Sequence, residues 1–235
     1  MNEKNYDKIN PKQLDSRYKK IPREAYLKNH WYPLIENLVQ KYCKDNQVLD
    51  LGCGTGRYTS LIAKNTNKTI GLDVSKNILN YAKNKNNDFD LVLANAIITP
   101  IRNESIDIVF CVGLFEYAGN ENVLKEIDRI LKPHGVCVIQ CPNKYSMIRF
   151  FNKLISKILD KEYVVREPSY KEMSKLFKKY KYDVIEVRMD DGLIWLPNVF
   201  DKIFGKQIYI VIENFFKMFG QNPFSNGMLF VIRKS

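Results

Sequence analysis

Between residues 48 and 140 this chain repeats one unit: a short, almost unbroken apolar run followed by a turn and a more polar stretch. The runs fall at 48–51, 69–74, 89–94, 106–112 and 136–140. Their hydrophobic residues stand side by side rather than alternating with polar ones, which is the pattern of strands covered on both faces. The segments 59–64, 76–85 and 121–132 read as helices. The last is the clearest, because Val123, Leu124, Ile127, Ile130 and Leu131 share one face. Pro133-His134-Gly135 then stops it. Ser75 is placed to cap the helix that follows it. Strands that alternate with helices at this spacing predict a doubly wound α/β fold with a mainly parallel sheet. Such a sheet binds ligands beyond the carboxyl ends of its strands, where the strand order reverses.

The flanks read differently. Up to residue 45 the chain is polar and helical, with an apolar period at Trp31, Leu34, Ile35, Leu38 and Val39. After Asn143 the rhythm breaks. Residues 144–160 read as an amphipathic helix, 182–188 and 228–233 as two late strands, and 193–220 as an aromatic, apolar, helical stretch between them. At 235 residues a single domain is expected. Its parts would be a helical cap (1–45), a core (46–143), two insertions (144–181 and 190–226) and the late strands (182–189 and 227–235). Charged residues interrupt every apolar stretch before it could span a bilayer. Residues 1–11 have no apolar signal core, so a cytoplasmic location is expected. The five cysteines, at 43, 53, 111, 137 and 141, follow neither a disulfide framework nor a zinc-ligand spacing, and no metal site is expected.

The chemistry concentrates after the first strand. Gly52-Cys53-Gly54-Thr55-Gly56 ends that strand and opens a helix. Glycines there let the backbone turn sharply and approach a ligand, and the helix N-terminus offers free N–H groups. Two common ligands fit poorly. The nicotinamide fingerprint needs glycine or alanine at position 57, where Arg57 stands, and the Gly-Lys-Ser/Thr of a phosphate-binding loop is missing. Asp73, at the end of the second strand, suits a ribose diol, because a carboxylate accepts from both hydroxyls. The glycine loop, Asp73, Asn95, Val112-Gly113 and Pro142-Asn143 each follow one of the first five strands, so they should converge on one crevice.

The set as a whole resembles the class I S-adenosylmethionine-dependent methyltransferases. Val48-Leu49-Asp50-Leu51-Gly52-Cys53-Gly54-Thr55-Gly56 is similar to their first motif and Gly71-Leu72-Asp73-Val74-Ser75 to their second. Ala94-Asn95-Ala96 stands where the family often reads Gly-Asp-Ala. Ser105-Ile106-Asp107-Ile108-Val109 is similar to its Ser-Phe-Asp-x-Val strand, and Phe115-Glu116-Tyr117 occupies the place of Leu-Glu-His. The likeness covers residues 45–143, in order, and is nearest to small-molecule enzymes that include quinone and sugar methyltransferases. It implies a seven-stranded Rossmann-like fold with helical lid insertions, and S-adenosylmethionine (SAM) as cofactor. It further implies that Gly52 and Gly54 border the methionine part and that Asp50 orients the loop. Asp73 would bind the ribose, Val74 would lie against adenine, Asn95 and Ala96 would meet its edge, and Val112 and Gly113 would line the methyl side.

Methyl transfer from a sulfonium is an in-line displacement in which positioning and a dry cavity do most of the work. A base helps when the acceptor is a hydroxyl or an acidic carbon. His134 falls on the edge opposite the crevice and reads as structural. His30 and Tyr18 lie in the helical cap, and Tyr117 faces the crevice, where its phenol suits positioning better than base work. No residue is assigned as catalytic.

The acceptor is expected to be a small molecule, lipophilic or anionic: quinone, lipid or sugar-like. The chain carries a net charge of +11, with eleven Lys/Arg against four acids between residues 144 and 181. Arg149, Lys153, Lys157 and Lys161 recur at intervals of four, while Phe150, Phe151, Leu154, Ile155, Ile158 and Leu159 share the other face. The simplest expectation is packing on the sheet as a lid; the alternative is peripheral membrane contact. The basic segment also raises an RNA methyltransferase as a rival. Against it, the fourth strand ends in Gly113-Leu114-Phe115-Glu116 rather than an Asn/Asp-Pro-Pro-aromatic motif, and nucleic acid is disfavoured as a partner. A SAM-binding protein without catalysis is the remaining alternative, and oligomeric state is left open.

Overall fold

The computed structural model describes residues 7–20, 22–66, 68–85, 88–158, 166–189 and 225–235; the side chains of 17–30 and of positions 147, 148, 151, 152 and 155 fall outside that description. The strands are β1 (Val48–Leu51), β2 (Thr69–Asp73), β3 (Asp90–Leu93), β4 (Ile106–Val112), β5 (Leu131–Pro142), β6 (Tyr182–Arg188) and β7 (Gly227–Lys234). They form one seven-stranded sheet in the order β3-β2-β1-β4-β5-β7-β6. The first five are parallel, and β7 runs antiparallel between β5 and β6. Strand order therefore reverses at β1, which pairs with β2 on one side and β4 on the other. The expected doubly wound, mainly parallel sheet is borne out.

The helices are α1 (Pro11–Lys20), α2 (Pro22–Tyr42), α3 (Arg57–Ala63), α4 (Lys76–Lys85), α5 (Phe115–Ala118), α6 (Asn120–Ile130), α7 (Met147–Ile158) and α8 (Tyr170–Lys179). They explain why the strands read as continuous apolar runs. Leu49, Val109, Cys111, Cys137 and Phe230 join Val123, Leu124 and Ile127 of α6 and Phe177 of α8 in one core. Their neighbours Val48, Ile108, Phe110, Val136 and Val231 join Trp31, Ile35 and Val39 of α2 and Leu61 and Ile62 of α3 in the other. Successive strand residues point to opposite faces, and both faces are covered along the central strands, while the edge strands β3 and β6 stay partly exposed.

Three of the differences from the sequence reading have a clear local reason. α6 stops at Ile130, two residues early, because Leu131 already pairs with Ile106. The ladder then jumps to Ile108 opposite Val136, across a bulge at Pro133-His134-Gly135. A Cβ at Gly135 would stand 2.7 Å from Leu131 Cγ and 2.9 Å from the Lys132 carbonyl oxygen, so only glycine fits there. α7 begins three residues later than the 144 expected, because Asn143 folds the residues that follow it into a turn. Its Oδ1 accepts from the Tyr145 N–H at 3.1 Å, and its Nδ2 donates to the Ser225 carbonyl at 3.0 Å, tying the end of β5 to the start of β7.

The third difference is α8, which the sequence reading passed over. Ser169 Oγ accepts from the Glu172 N–H at 3.2 Å, and Glu172 Oε2 accepts from the Ser169 N–H at 2.6 Å. This reciprocal cap has a visible signature, Ser-x-x-Glu ahead of an apolar period at Met173 and Phe177. The expected helical stretch 193–220 lies outside the described residues. Among the described residues no helix is long and apolar enough to cross a membrane.

Candidate functional site

The carboxyl ends of β1, β2, β3 and β4 surround a cavity of about 250 Å³. After Leu51 the chain turns through Gly52 at φ 80°, Gly54 at φ 53° and Gly56 at φ 75°. All three are left-handed, a conformation that costs a side-chain-bearing residue but not glycine. The Gly52 and Cys53 N–H groups donate to the Leu72 carbonyl at 2.8 and 2.9 Å, which holds the loop against β2.

Asp73 closes the other side of that joint. Its Oδ2 accepts from the Gly54 N–H at 2.9 Å and its Oδ1 from the Ser75 N–H at 3.0 Å. The residue is 4% exposed. Burial pushes its carboxyl above the usual aspartate range, against the backbone donors of Ser75, Gly54 and Val74. A carboxylate offers about four acceptor sites, so this pinned one lines the cavity with acceptor capacity to spare.

Gly52, Asp73, Val74, Asn95, Ala96 and Gly113 line the cavity together, as the strand ends led one to expect. Leu72, Ala94, Ile97, Leu114, Tyr117 and Ala118 complete its wall. Asp50, Gly54 and Val112 are not part of that lining. Asp50 lies beneath the loop, 2% exposed, accepting from Thr59 Oγ1 at 2.6 Å. Burial, opposed by Thr59 and reinforced by the charge of Asp73, pushes its carboxyl up to about 7. Gly54 meets the site through its bond to Asp73. Val112 packs in the core on the α2 side, and the lining passes to Gly113 at φ 73°. Asn143 is also absent from the lining, since its side chain is used in the β5–β7 junction.

The far wall is held by a network that sequence reading missed. Asn95 Oδ1 accepts from the Ile97 N–H at 3.1 Å, forming a local turn. Two residues on, buried Glu126 of α6 accepts from the Thr99 N–H and hydroxyl, both at 2.7 Å. It also accepts from Arg129 Nε at 2.9 Å and Nη2 at 2.6 Å, while Arg129 Nη1 donates to the Ile101 carbonyl at 2.9 Å. Burial would raise the Glu126 carboxyl, but these donors outweigh it and hold it at about 2. The signal available was a Glu and an Arg three apart on an amphipathic helix.

The N-terminal segment is tied to the start of α3 and to both ends of α4. Ser75 Oγ donates to Asp7 at 2.6 Å, and Asp15 pairs with Lys85 at 3.1 Å and with Arg57 at 3.7 Å. Arg57, which argued against a nicotinamide ligand, thus serves the N-terminal segment. The side chains of Tyr18 and His30 lie outside the described residues. His134 is exposed at φ 62° in the bulge of β5, at the edge away from the cavity. Tyr117 lines the cavity and is 44% exposed.

Residues 49–139 match the family model described as a methyltransferase domain. A demethylmenaquinone methyltransferase of Lactococcus lactis is 32% identical over 174 residues, which cover 62% of this chain and 69% of that protein. An uncharacterised protein of Methanocaldococcus jannaschii is 28% identical over 204 residues, covering 77% of this chain and 75% of its own. Among solved structures, magnesium protoporphyrin IX methyltransferase from Synechocystis, with bound S-adenosylhomocysteine, has a TM-score of 0.65 at 11% identity. That match covers 91% of this chain and 86% of the other, and it is a likeness of fold.

Proposed function

The chain belongs to the class I SAM-dependent methyltransferases, and from that premise we propose that its acceptor is a quinone-like aromatic ring, methylated in its reduced, hydroxylated form. SAM is the methyl donor of the family, and the cavity fits it. A buried carboxylate held by two backbone donors suits a ribose diol, and the apolar wall of Val74, Ala96 and Ile97 suits a purine face. On this reading Asp73 binds the ribose and Val74 lies against adenine. Asn95 and Ala96 meet the ring edge. Gly52 and Gly54 border the methionine part, Asp50 steadies the loop from beneath, and Gly113, with the backbone of Val112, borders the methyl group.

The observation that carries the acceptor is the kinship with demethylmenaquinone methyltransferases. An apolar approach to the cavity supports it: Ile97, Leu114, Tyr117 and Ala118 lie along the wall, and Ile98 beside them is 74% exposed. An electron-rich ring carbon next to a phenol oxygen attacks the sulfonium methyl, the C–S bond breaks, and S-adenosylhomocysteine leaves. Release of S-adenosylhomocysteine should therefore rise well above background with a short-chain demethylmenaquinol, and not with a sugar or with transfer RNA. Turnover with transfer RNA alone would replace the acceptor.

A lipophilic acceptor also gives α7 a role. Phe150, Leu154 and Ile158, at intervals of four, are 61%, 46% and 74% exposed. The basic row beside them is partly spent, because Arg149 and Lys153 both pair with Glu167. That pairing disfavours a phosphate-binding face more than it disfavours an apolar one. We therefore propose that α7 makes peripheral contact with the membrane that holds the acceptor. The protein should float with anionic vesicles, and Phe150→Asp/Leu154→Asp should not. Equal flotation of both, or of neither, would remove this part of the reading.

A further inference from the structure

Two buried polar atoms have no hydrogen-bond partner: Glu116 Oε2, whose carboxyl lies beside the Gly113 wall of the cavity, and Arg149 Nε of α7; neither residue is part of the lining itself. One is an acceptor and the other a donor, and their two charges interact. Buried polar atoms are nearly always satisfied, so an unused pair of opposite kind calls for an explanation. Glu116 belongs to α5, directly after β4, between Leu114 and Tyr117, which line the cavity. A Cβ placed on Gly113, itself in the lining, would stand 3.9 Å from Glu116 Oε1 and 4.0 Å from Gln140 Oε1, so no side chain separates this carboxyl from the strand end.

We propose that Glu116 is the base of the methyl transfer, and that Arg149 Nε–H is the donor that holds the acceptor's oxygen beside it. The inference rests on the reading of the acceptor as a hydroxylated aromatic ring. As the acceptor atom bonds to the methyl carbon and the C–S bond breaks, the acceptor's proton passes to Glu116 Oε2 and then to solvent. Charge balances, because the sulfonium becomes a neutral thioether and the carboxylate becomes a carboxylic acid.

The surroundings suit that task. Burial pushes the Glu116 carboxyl up to about 7, opposed by its own backbone N–H and by Arg149, and reinforced by Glu167. From β4 and β5 the groups that interact with it are the thiols of Cys111 and Cys141, both held protonated by burial. From the segment before α8, the Arg166 N–H donates to the Glu116 carbonyl at 3.1 Å. A base poised near neutrality is the form that proton abstraction favours.

The test compares wild type, Glu116→Gln and Glu116→Asp, with thermal melts to establish folding. With short-chain demethylmenaquinol, kcat of the wild type should rise with pH through about 7 as the carboxyl ionises. Glu116→Gln should lower kcat by about 100-fold or more and flatten that rise, with SAM affinity unchanged, and Glu116→Asp should restore part of both. Binding of 1,4-dihydroxynaphthalene to the S-adenosylhomocysteine complex, measured at pH 6 and pH 8, is the second readout. It should depend on pH in the wild type and lose that dependence in Glu116→Gln. If the quinol is not turned over but the probe binds in a Glu116-dependent way, the acceptor reading fails and the base stands. If neither turnover nor binding depends on Glu116, the proposal is overturned.

Discussion

Asp73→Ala should weaken SAM binding by 100-fold or more while the sheet stays folded. A hydrogen bond to a charged group contributes about 1.5–3 kcal/mol, so losing both ribose hydroxyl bonds removes about 3–6 kcal/mol. Each 1.4 kcal/mol corresponds to about a factor of ten in affinity. The same carboxylate also pins the Gly54 and Ser75 N–H groups, so the alanine variant loosens the loop that borders the ligand. Asp73→Asn separates the two contributions. It keeps the shape and one acceptor oxygen but loses the charge, and its affinity should fall between the other two. Because burial raises the Asp73 carboxyl, SAM binding should weaken on acidification at a higher pH than an ordinary aspartate would allow. Calorimetric titration checks all three outcomes, with circular dichroism to show that the fold persists. An unchanged Kd in Asp73→Ala would place the ribose elsewhere.

The second large effect is on stability and comes from Glu126. Its carboxylate takes four donors from Thr99 and Arg129. Removing one member of such a buried pair leaves the others uncompensated and costs about 3–5 kcal/mol. Arg129 is partly exposed, with a side-chain accessibility of 34%, so the lower end applies. For a chain of this size about 3 kcal/mol lowers Tm by roughly 6–12 °C. Glu126→Ala should show that drop at pH 7 and should also raise the Kd for SAM modestly, because Thr99 anchors the segment that carries Asn95 and Ala96. The pH dependence has a definite sign. The folded carboxyl, near 2, lies below its unfolded value, so its contribution is complete above about 4.5 and is lost as pH falls through 2. The gap in Tm between wild type and Glu126→Ala should therefore close on acidification. A variant as stable as wild type at pH 7 would show that the network carries no weight.

The contrast between Asp73 and Glu126 illustrates what the sequence reveals. Asp73 was legible because it ends a strand and follows a glycine loop by one βαβ unit, so topology alone puts it at the switch point. Glu126 looked like the solvent face of an amphipathic helix; only the return of the chain after β3 buries it against Thr99. Long-range packing of that kind leaves no local periodicity. Val112 shows a related effect. It stands next to Gly113 in sequence, but the alternation of a strand turns its side chain to the opposite face. α8 was legible in principle, through Ser169 and Glu172, yet it lies in a lysine-rich stretch whose charge masks the apolar period at Met173 and Phe177. Glu116 sits in a recognisable triplet, but its missing partner is a property of the folded interior and cannot be read from the residue type.

The central claim is that one crevice, built from the ends of four parallel strands, holds the methyl donor. A crystal structure of the protein with S-adenosylhomocysteine tests it directly. The account predicts the ribose hydroxyls within hydrogen-bond distance of the Asp73 carboxylate, adenine against Val74, and the sulfur beside Gly113. A ligand bound elsewhere, or a ribose more than one hydrogen-bond length from Asp73, would contradict it.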